Sequence, residues 1–349
     1  MSRIRNSSYL RKNNLRVVLK EVLKHQPVSK SQVAKKLNVN SSTVSELLKP
    51  LINAKIILQS SHGPSSGGRP PILLRINPTA AYIVAVDLSS YSVRVALMNS
   101  LLKVQAMKVF TMDQDIYKGL EQLIKEISMS IEGLRDSRVL GICIAVSGVL
   151  NPTTGRISSS LIKGLENIRI GEYLQRNFRL PILVENDANL SALGEFMNME
   201  EEIANMFYIH MGDGLGGGMV LEKSLFKGNR GYAGEIGKMV YNTEPLITAG
   251  EFYNELLKDY LDRGKFNEEK LIRFLATIVQ NVLSTIDVYH FVVGGRYALF
   301  DESILHEVEK IVRERFYGFE IFIRKSVNNP DAILTGAAEY LMENRIFNI

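Results

Sequence analysis

A single cysteine, Cys143, occurs in 349 residues. It excludes an intrachain disulfide and any cysteine-rich zinc site. Long apolar runs are missing too: none approaches the roughly 20 residues that a membrane-spanning helix needs. The Met1-Ser-Arg-Ile-Arg start is polar and basic, with no apolar segment behind it resembling a secretion signal. Low-complexity tracts are absent. A cytoplasmic protein is expected. With 46% hydrophobic and 23% charged residues the composition is that of an ordinary globular protein, and the length suggests two or three domains.

Acidic residues are scarce at one end. Residues 1 to 75 hold fourteen Lys or Arg but only Glu21 and Glu46, a balance of +12, so the remainder carries −7 within the total of +5. A basic head on a mildly acidic body is the charge footprint of a nucleic-acid-binding domain joined to something else.

In the head, Leu15, Val18, Leu19, Val22 and Leu23 recur at helical spacing, and Pro27 closes that helix. Ser29-Lys-Ser-Gln32 has the form of a capping box, opening a short helix with Val33, Ala34 and Leu37 inward. Asn38-Val-Asn40 breaks it, and a further helix begins at Ser41 with Val44, Leu47, Leu48 and Leu51 on its buried side. This order predicts a helix-turn-helix. Ser41, Ser42, Thr43 and Ser45 are short enough to let the second helix enter a major groove, with Lys49 further along. The hydroxyls either reach phosphates and base edges or serve as helix caps. Pro50 should kink or shorten that helix. Ile56–Leu58 and Ile72–Ile76 read as two strands of a wing. The loop between them, Ser65-Ser-Gly-Gly-Arg-Pro-Pro71, is either a plain linker or carries Arg69 into a minor groove.

From Tyr82 the pattern changes. Apolar strands at 82–87, 93–98 and 104–110 precede a helix near 120–127 and a buried strand at 139–146 that ends in a Ser147-Gly148 turn. A similar order recurs from Met206, with strands at 206–211 and 218–221, helices near 249–262 and 268–288, and a strand at 291–295. The expected fold class is α/β: an N-terminal winged helix-turn-helix followed by a two-lobed ribonuclease-H-like domain of the actin-like ATPase or hexokinase type, with the ligand in the cleft. At Pro181-Ile-Leu-Val-Glu-Asn-Asp-Ala-Asn189 an apolar strand stops at polar residues and a helix starts. Asn186 and Asp187 there suit a polyhydroxylated ligand, whose hydroxyls both donate and accept; the competing reading makes one of them a helix cap.

Two glycine clusters follow, Gly212-Asp-Gly-Leu-Gly-Gly-Gly218 and Gly231-Tyr-Ala-Gly-Glu-Ile-Gly237. Such loops let a backbone approach a ligand closely, and in a kinase they cradle phosphate. Asp213 puts a carboxylate where a phosphate would sit. Bringing two such charges within ~4 Å costs several kcal/mol at a partly buried site.

With these segments in order, together with Gly67-Gly-Arg-Pro70, Gly141–Gly155, Glu185-Asn-Asp-Ala-Asn189, Gly294-Gly295 and Leu334-Thr-Gly-Ala-Ala338, the chain resembles the ROK family of repressors and sugar kinases over residues 9 to 341. The branch it is most similar to is that of sugar-responsive repressors with an N-terminal winged helix. The resemblance implies that Asn186 and Asp187 bind sugar, Asp187 being the general base in kinases, that Glu235 bonds sugar hydroxyls, and that Ser147 and Gly148 border the sugar. Glu251 stands where a second sugar-binding glutamate is sought.

Several positions depart from the kinase pattern. The family's Asp-x-Gly-Gly-Thr is Asp87-Leu-Ser-Ser-Tyr91 here, with Ser89 and Ser90 replacing glycines, and its Gly-Thr-Gly is Gly212-Asp213-Gly214. Lys238 replaces a zinc-binding histidine, and residues 241–250 lack the three cysteines, so neither zinc nor another metal is expected, and ATP with magnesium is doubtful as a cofactor. Lys238 either favours an acidic ligand or pairs with Glu235.

The resulting expectation is a DNA-binding repressor that senses a sugar in a kinase-like domain whose phosphate loops have degenerated. The alternative is an ATP-dependent sugar kinase of the glucokinase or N-acetylhexosamine kinase type. The expected partners are an operator in double-stranded DNA, a sugar effector and a second copy of the chain in a homodimer, without a membrane. The expected domains are a head at 1–77, a first lobe at 78–186 and 330–349, and a second lobe at 187–329 with the dimerisation helices.

Overall fold

The computed structural model describes residues 7–62, 70–134, 139–199, 203–316, 318–329 and 331–345. The head contains helices Ser7–His25, Lys30–Lys36 and Ser41–Asn53, then strands Ile57–His62 and Ile72–Ile76. The last strand lies between Ile57–His62 and the two-residue strand Val28–Ser29, antiparallel to both. These helices and strands follow in the order expected from the sequence. The capping box forms as the sequence reads: Ser29 Oγ accepts from Gln32 N, and Gln32 Oε1 accepts from Ser29 N. Val44, Leu47, Leu48 and Leu51 are buried, as expected.

Pro50 does not end its helix, which runs on to Asn53. The ring is exposed, and a proline at this depth removes one N–H bond in a helix otherwise held by its buried leucines.

The body consists of two five-stranded sheets of the same plan. The first has the order Ile182–Asn186, Val139–Val146, Tyr82–Leu88, Ser92–Asn99, Val104–Thr111, parallel for the first three and antiparallel for the rest. The second has the order Phe322–Lys325, His290–Gly294, Met206–Met211, Leu215–Leu221, Ser224–Leu225, again parallel for three and then antiparallel. A duplication absent from the sequence is thus explicit in the topology.

Helices Asp187–Met197 and Ala332–Arg345 pack between the sheets and cross tightly at Gly194 and Gly336. A Cβ on Gly194 would strike the Ala332 carbonyl oxygen, and one on Gly336 the Leu190 carbonyl oxygen. Ala332–Arg345 also holds the head. Lys20 lies 3.3 Å from Glu339 and 2.7 Å from Glu343, and Lys24 Nζ donates to the Met199 carbonyl at 2.6 Å. The head's buried side chains join those of Ala337, Leu341 and Met342 in one core. Among the described residues no helix is long and apolar enough to cross a membrane, and no group of three or more His, Cys, Asp or Glu side chains is placed to hold a metal ion.

Candidate functional site

A cavity of about 630 Å³ opens between the two sheets. It gathers most of the residues that the sequence singles out: Asp87, Ser89, Ser90, Ser147, Gly148, Asn186, Asp187, Asp213, Gly214, Glu235 and Lys238 all line it.

The strand Ile182–Asn186 delivers Asn186 and Asp187 at its carboxyl end. Asn186 caps the following helix, its Oδ1 accepting from Asn189 N at 3.0 Å, while its Nδ2 donates to the Gly148 carbonyl at 3.0 Å. Asn186 is therefore a helix cap, and the same side chain ties the strand to the Ser147-Gly148 turn; it also lines the cavity, so capping does not take it out of a ligand's reach. Gly148 has φ +89°, and a Cβ there would strike the Ser158 carbonyl oxygen, so the turn needs glycine. Ser147 Oγ accepts from Leu161 N at 3.0 Å and fixes the opposite wall.

Asp187 is the first residue of the helix, where the positive end of the helix dipole and the Ala188 N–H at 2.8 Å both favour its charge. Burial outweighs them and pushes its pKa up to about 7, with Asp87 adding to the rise. Asp187 therefore sits near half-protonation at neutral pH, able to donate to or accept from a hydroxyl. Burial likewise raises Glu235; Lys238 opposes that rise and Asp187 adds to it. Both side chains line the cavity, and the two readings for Lys238 stay open.

Glu251 is a correction. Its carboxylate closes a capping box with Thr248, accepting from Thr248 N at 2.7 Å and Oγ1 at 2.9 Å, and it is exposed outside the cavity. Its neighbours Gly250 and Asn254 line the wall instead. A helix-opening Thr-x-x-Glu claims the glutamate locally before any ligand can.

The two loops that would flank a phosphate are each tied by an arginine, and Arg94 also reaches Asp331 at 3.1 Å. Asp87 and Arg94 face one another in the register of neighbouring strands, with Arg94 Nε and Nη2 at 3.1 and 2.8 Å from Asp87 Oδ2. Ser89 binds Asp87 Oδ1 through both its N–H and its hydroxyl. Asp213 takes Arg296 Nη1 at 3.3 and 3.1 Å and the Tyr297 hydroxyl at 3.2 Å. This changes the electrostatic argument from sequence. Asp213 is no bare carboxylate but half of an ion pair, and an incoming phosphate would have to displace it from Arg296. Sequence reading missed both arginines and Tyr297. Arg94 was legible from the hairpin register, whereas Arg296 lies 83 residues from Asp213 and left no local signal.

Behind Asn186, Glu185 is buried and accepts from Asn186 N, Asn189 Nδ2 and Lys227 Nζ at 2.9, 3.0 and 2.9 Å. Lys227 also reaches the Tyr340 hydroxyl at 3.0 Å, on the helix that carries Glu339. In the head, Ser41, Ser42, Thr43 and Lys49 are exposed and Ser45 half-buried along helix Ser41–Asn53. Arg69 lies outside the described residues.

Residues 83–252 match the model of the ROK family. This chain carries a ROK family domain. The matched stretch of the ROK domain holds both loops and every wall residue expected from sequence. The chain is similar to the xylose repressor of Caldicellulosiruptor bescii, 30% identical over 242 residues that cover 68% of this chain and 61% of that one. It is also similar to the xylose repressor of Bacillus subtilis, 29% identical over 248 residues covering 68% and 62%. The alignments thus span about three-fifths of those relatives. Among solved structures, a ROK family transcriptional regulator described as a homolog of the E. coli MLC protein superposes with TM-score 0.74 at 20% identity, covering 97% of each chain. That likeness shows a shared fold, head included in its span.

Proposed function

We propose that this protein is a DNA-binding transcriptional repressor that senses a sugar in the cavity of its ROK domain. The observation that carries the reading is the pairing of both loop carboxylates with arginines, Asp87 with Arg94 and Asp213 with Arg296, beside a cavity whose Asp187 and Glu235 carboxyls face inward. The phosphate side is occupied by the protein's own charges while the hydroxyl-binding side is open. The names of the similar repressors support the repressor class and make xylose the first sugar to test.

In this reading residues 1–77 bind operator DNA through Ser41, Ser42, Thr43, Ser45, Lys49 and Arg69. The first lobe is 78–186 with 330–349, and the second lobe is 187–329. Sugar held by Asn186, Asp187, Glu235 and the Ser147-Gly148 turn favours one closure of the lobes. A homodimer converts that closure into altered spacing of two heads on two half-sites. The cytoplasm, where the operator lies, is its place.

A shift assay with DNA from upstream of the protein's own gene tests this, run with and without xylose, glucose and related sugars. Specific binding that a sugar changes at least fivefold supports it; DNA binding that no sugar alters contradicts it.

A second reading, an ATP-dependent sugar kinase, is favoured by one observation: a buried Asp187 whose pKa near 7 suits a general base. Turnover of ATP with a hexose or pentose that vanishes in Asp187→Ala would establish it in place of the first.

A further inference from the structure

Among the polar side chains that line the cavity is a histidine that the sensing mechanism does not use. His210 is on the strand Met206–Met211, two residues before Gly212, and it lines the cavity while only 8% exposed. Its Nδ1 is buried without a hydrogen-bond partner. The ring packs obliquely against Tyr208, with centroids 6.2 Å apart. Gly212 leaves room for it, since a Cβ there would come within 2.8 Å of His210 Nε2. Nδ1 is sealed from solvent, so it is the other ring nitrogen, Nε2, which also makes no hydrogen bond among the described residues, that can meet something entering the cavity.

The surroundings define what can enter. Asp87 and Asp213 lie close enough to pull the ring toward its charged form, yet burial dominates and pushes its pKa down to about 4. The ring is therefore neutral at physiological pH, with one donor and one acceptor nitrogen. Of the cations on the cavity wall, Arg94 and Arg296 are bonded to Asp87 and Asp213, and Lys238 lies on the side of Glu235. A hydroxyl, which both donates and accepts, suits a neutral imidazole in either tautomer. At the ring itself a phosphate dianion finds a single weak donor, with Asp87 and Asp213 near enough to repel it.

We propose that His210 is a specificity-determining contact that takes a hydroxyl of an uncharged sugar between Asp87 and Asp213 and thereby discriminates against the phosphate ester of the same sugar. The inference rests on the sugar-sensing reading and deepens it by naming the ligand's charge class.

The test is calorimetric titration of the full-length protein with xylose, glucose, xylose 5-phosphate and glucose 6-phosphate, for the wild type, His210→Gln and His210→Phe. The sugar that binds the wild type should weaken about tenfold in His210→Phe, for one lost buried hydrogen bond, and less than about threefold in His210→Gln, which keeps a donor and an acceptor. The wild type should prefer each sugar over its ester, a comparison that decides the matter even if a variant does not fold. Equal affinity of wild type and folded His210→Phe, or tighter binding of an ester, overturns the assignment and leaves the sensing reading standing. A wild type that binds none of the four overturns both.

Discussion

Replacing Asp187 with Asn removes one oxygen's charge from a buried position and nothing else of consequence, because the Asn carbonyl can still accept from Ala188 N at the 2.8 Å seen for Oδ1. In the folded protein the carboxyl titrates at about 7 against 3.8 in the unfolded chain, chiefly through burial. The folded pKa is raised, so the group's stabilising contribution is complete below the unfolded value and is lost as pH rises through the folded one. A shift of about three units corresponds to roughly 4 kcal/mol, and most of it accrues between the two pKa values. Relative to wild type, Asp187→Asn should therefore gain roughly 2.5 kcal/mol of stability on going from pH 5 to pH 8. Urea melts of both proteins at the two pH values, without sugar, read this directly. A change below about 0.5 kcal/mol would mean that water reaches Asp187 freely, and the picture of a half-protonated group facing the ligand would fall with it.

Three further outcomes follow from the packing. Gly336→Ala drives a methyl group into the Leu190 carbonyl where the two central helices cross, and should cost about 3 kcal/mol in urea melts. Lys20→Met leaves Glu339 buried beside Glu343. Burial already raises Glu339 to about 7 while Lys20 pulls it down, so the loss should be about 2 kcal/mol at pH 8 and small at pH 5.5. Lys49→Ala should weaken operator binding, and wild-type affinity should fall on the order of a thousandfold between 50 and 200 mM salt, measured by fluorescence anisotropy.

Much of the fold was legible because its signals are local. The Ser29 and Gln32 capping box, the leucine spacing of helix Ser41–Asn53 and the strand that ends at Asn186 are each written within a few residues. Pro50 lies inside its helix because buried side chains, more than one lost backbone bond, decide whether a helix continues. Glu251 misled because a local cap competes with a distant ligand for the same carboxylate. The partners of Asp213 were illegible for a different reason. They come from the turn after His290–Gly294, brought alongside by parallel pairing with Met206–Met211, and no short-range pattern encodes that meeting. His210 looked like one more residue of an apolar strand; only its burial and its unmatched nitrogen mark it out.

The self-contained ion pairs have one more effect. Asp87 is matched by a residue of its own hairpin, which also reaches Asp331, and Asp213 by one from its own sheet region, so both acids are already neutralised by the protein's own cations. If the protein senses sugar as proposed, no magnesium bridge is required, and a chelator such as EDTA should leave the sugar response as it was.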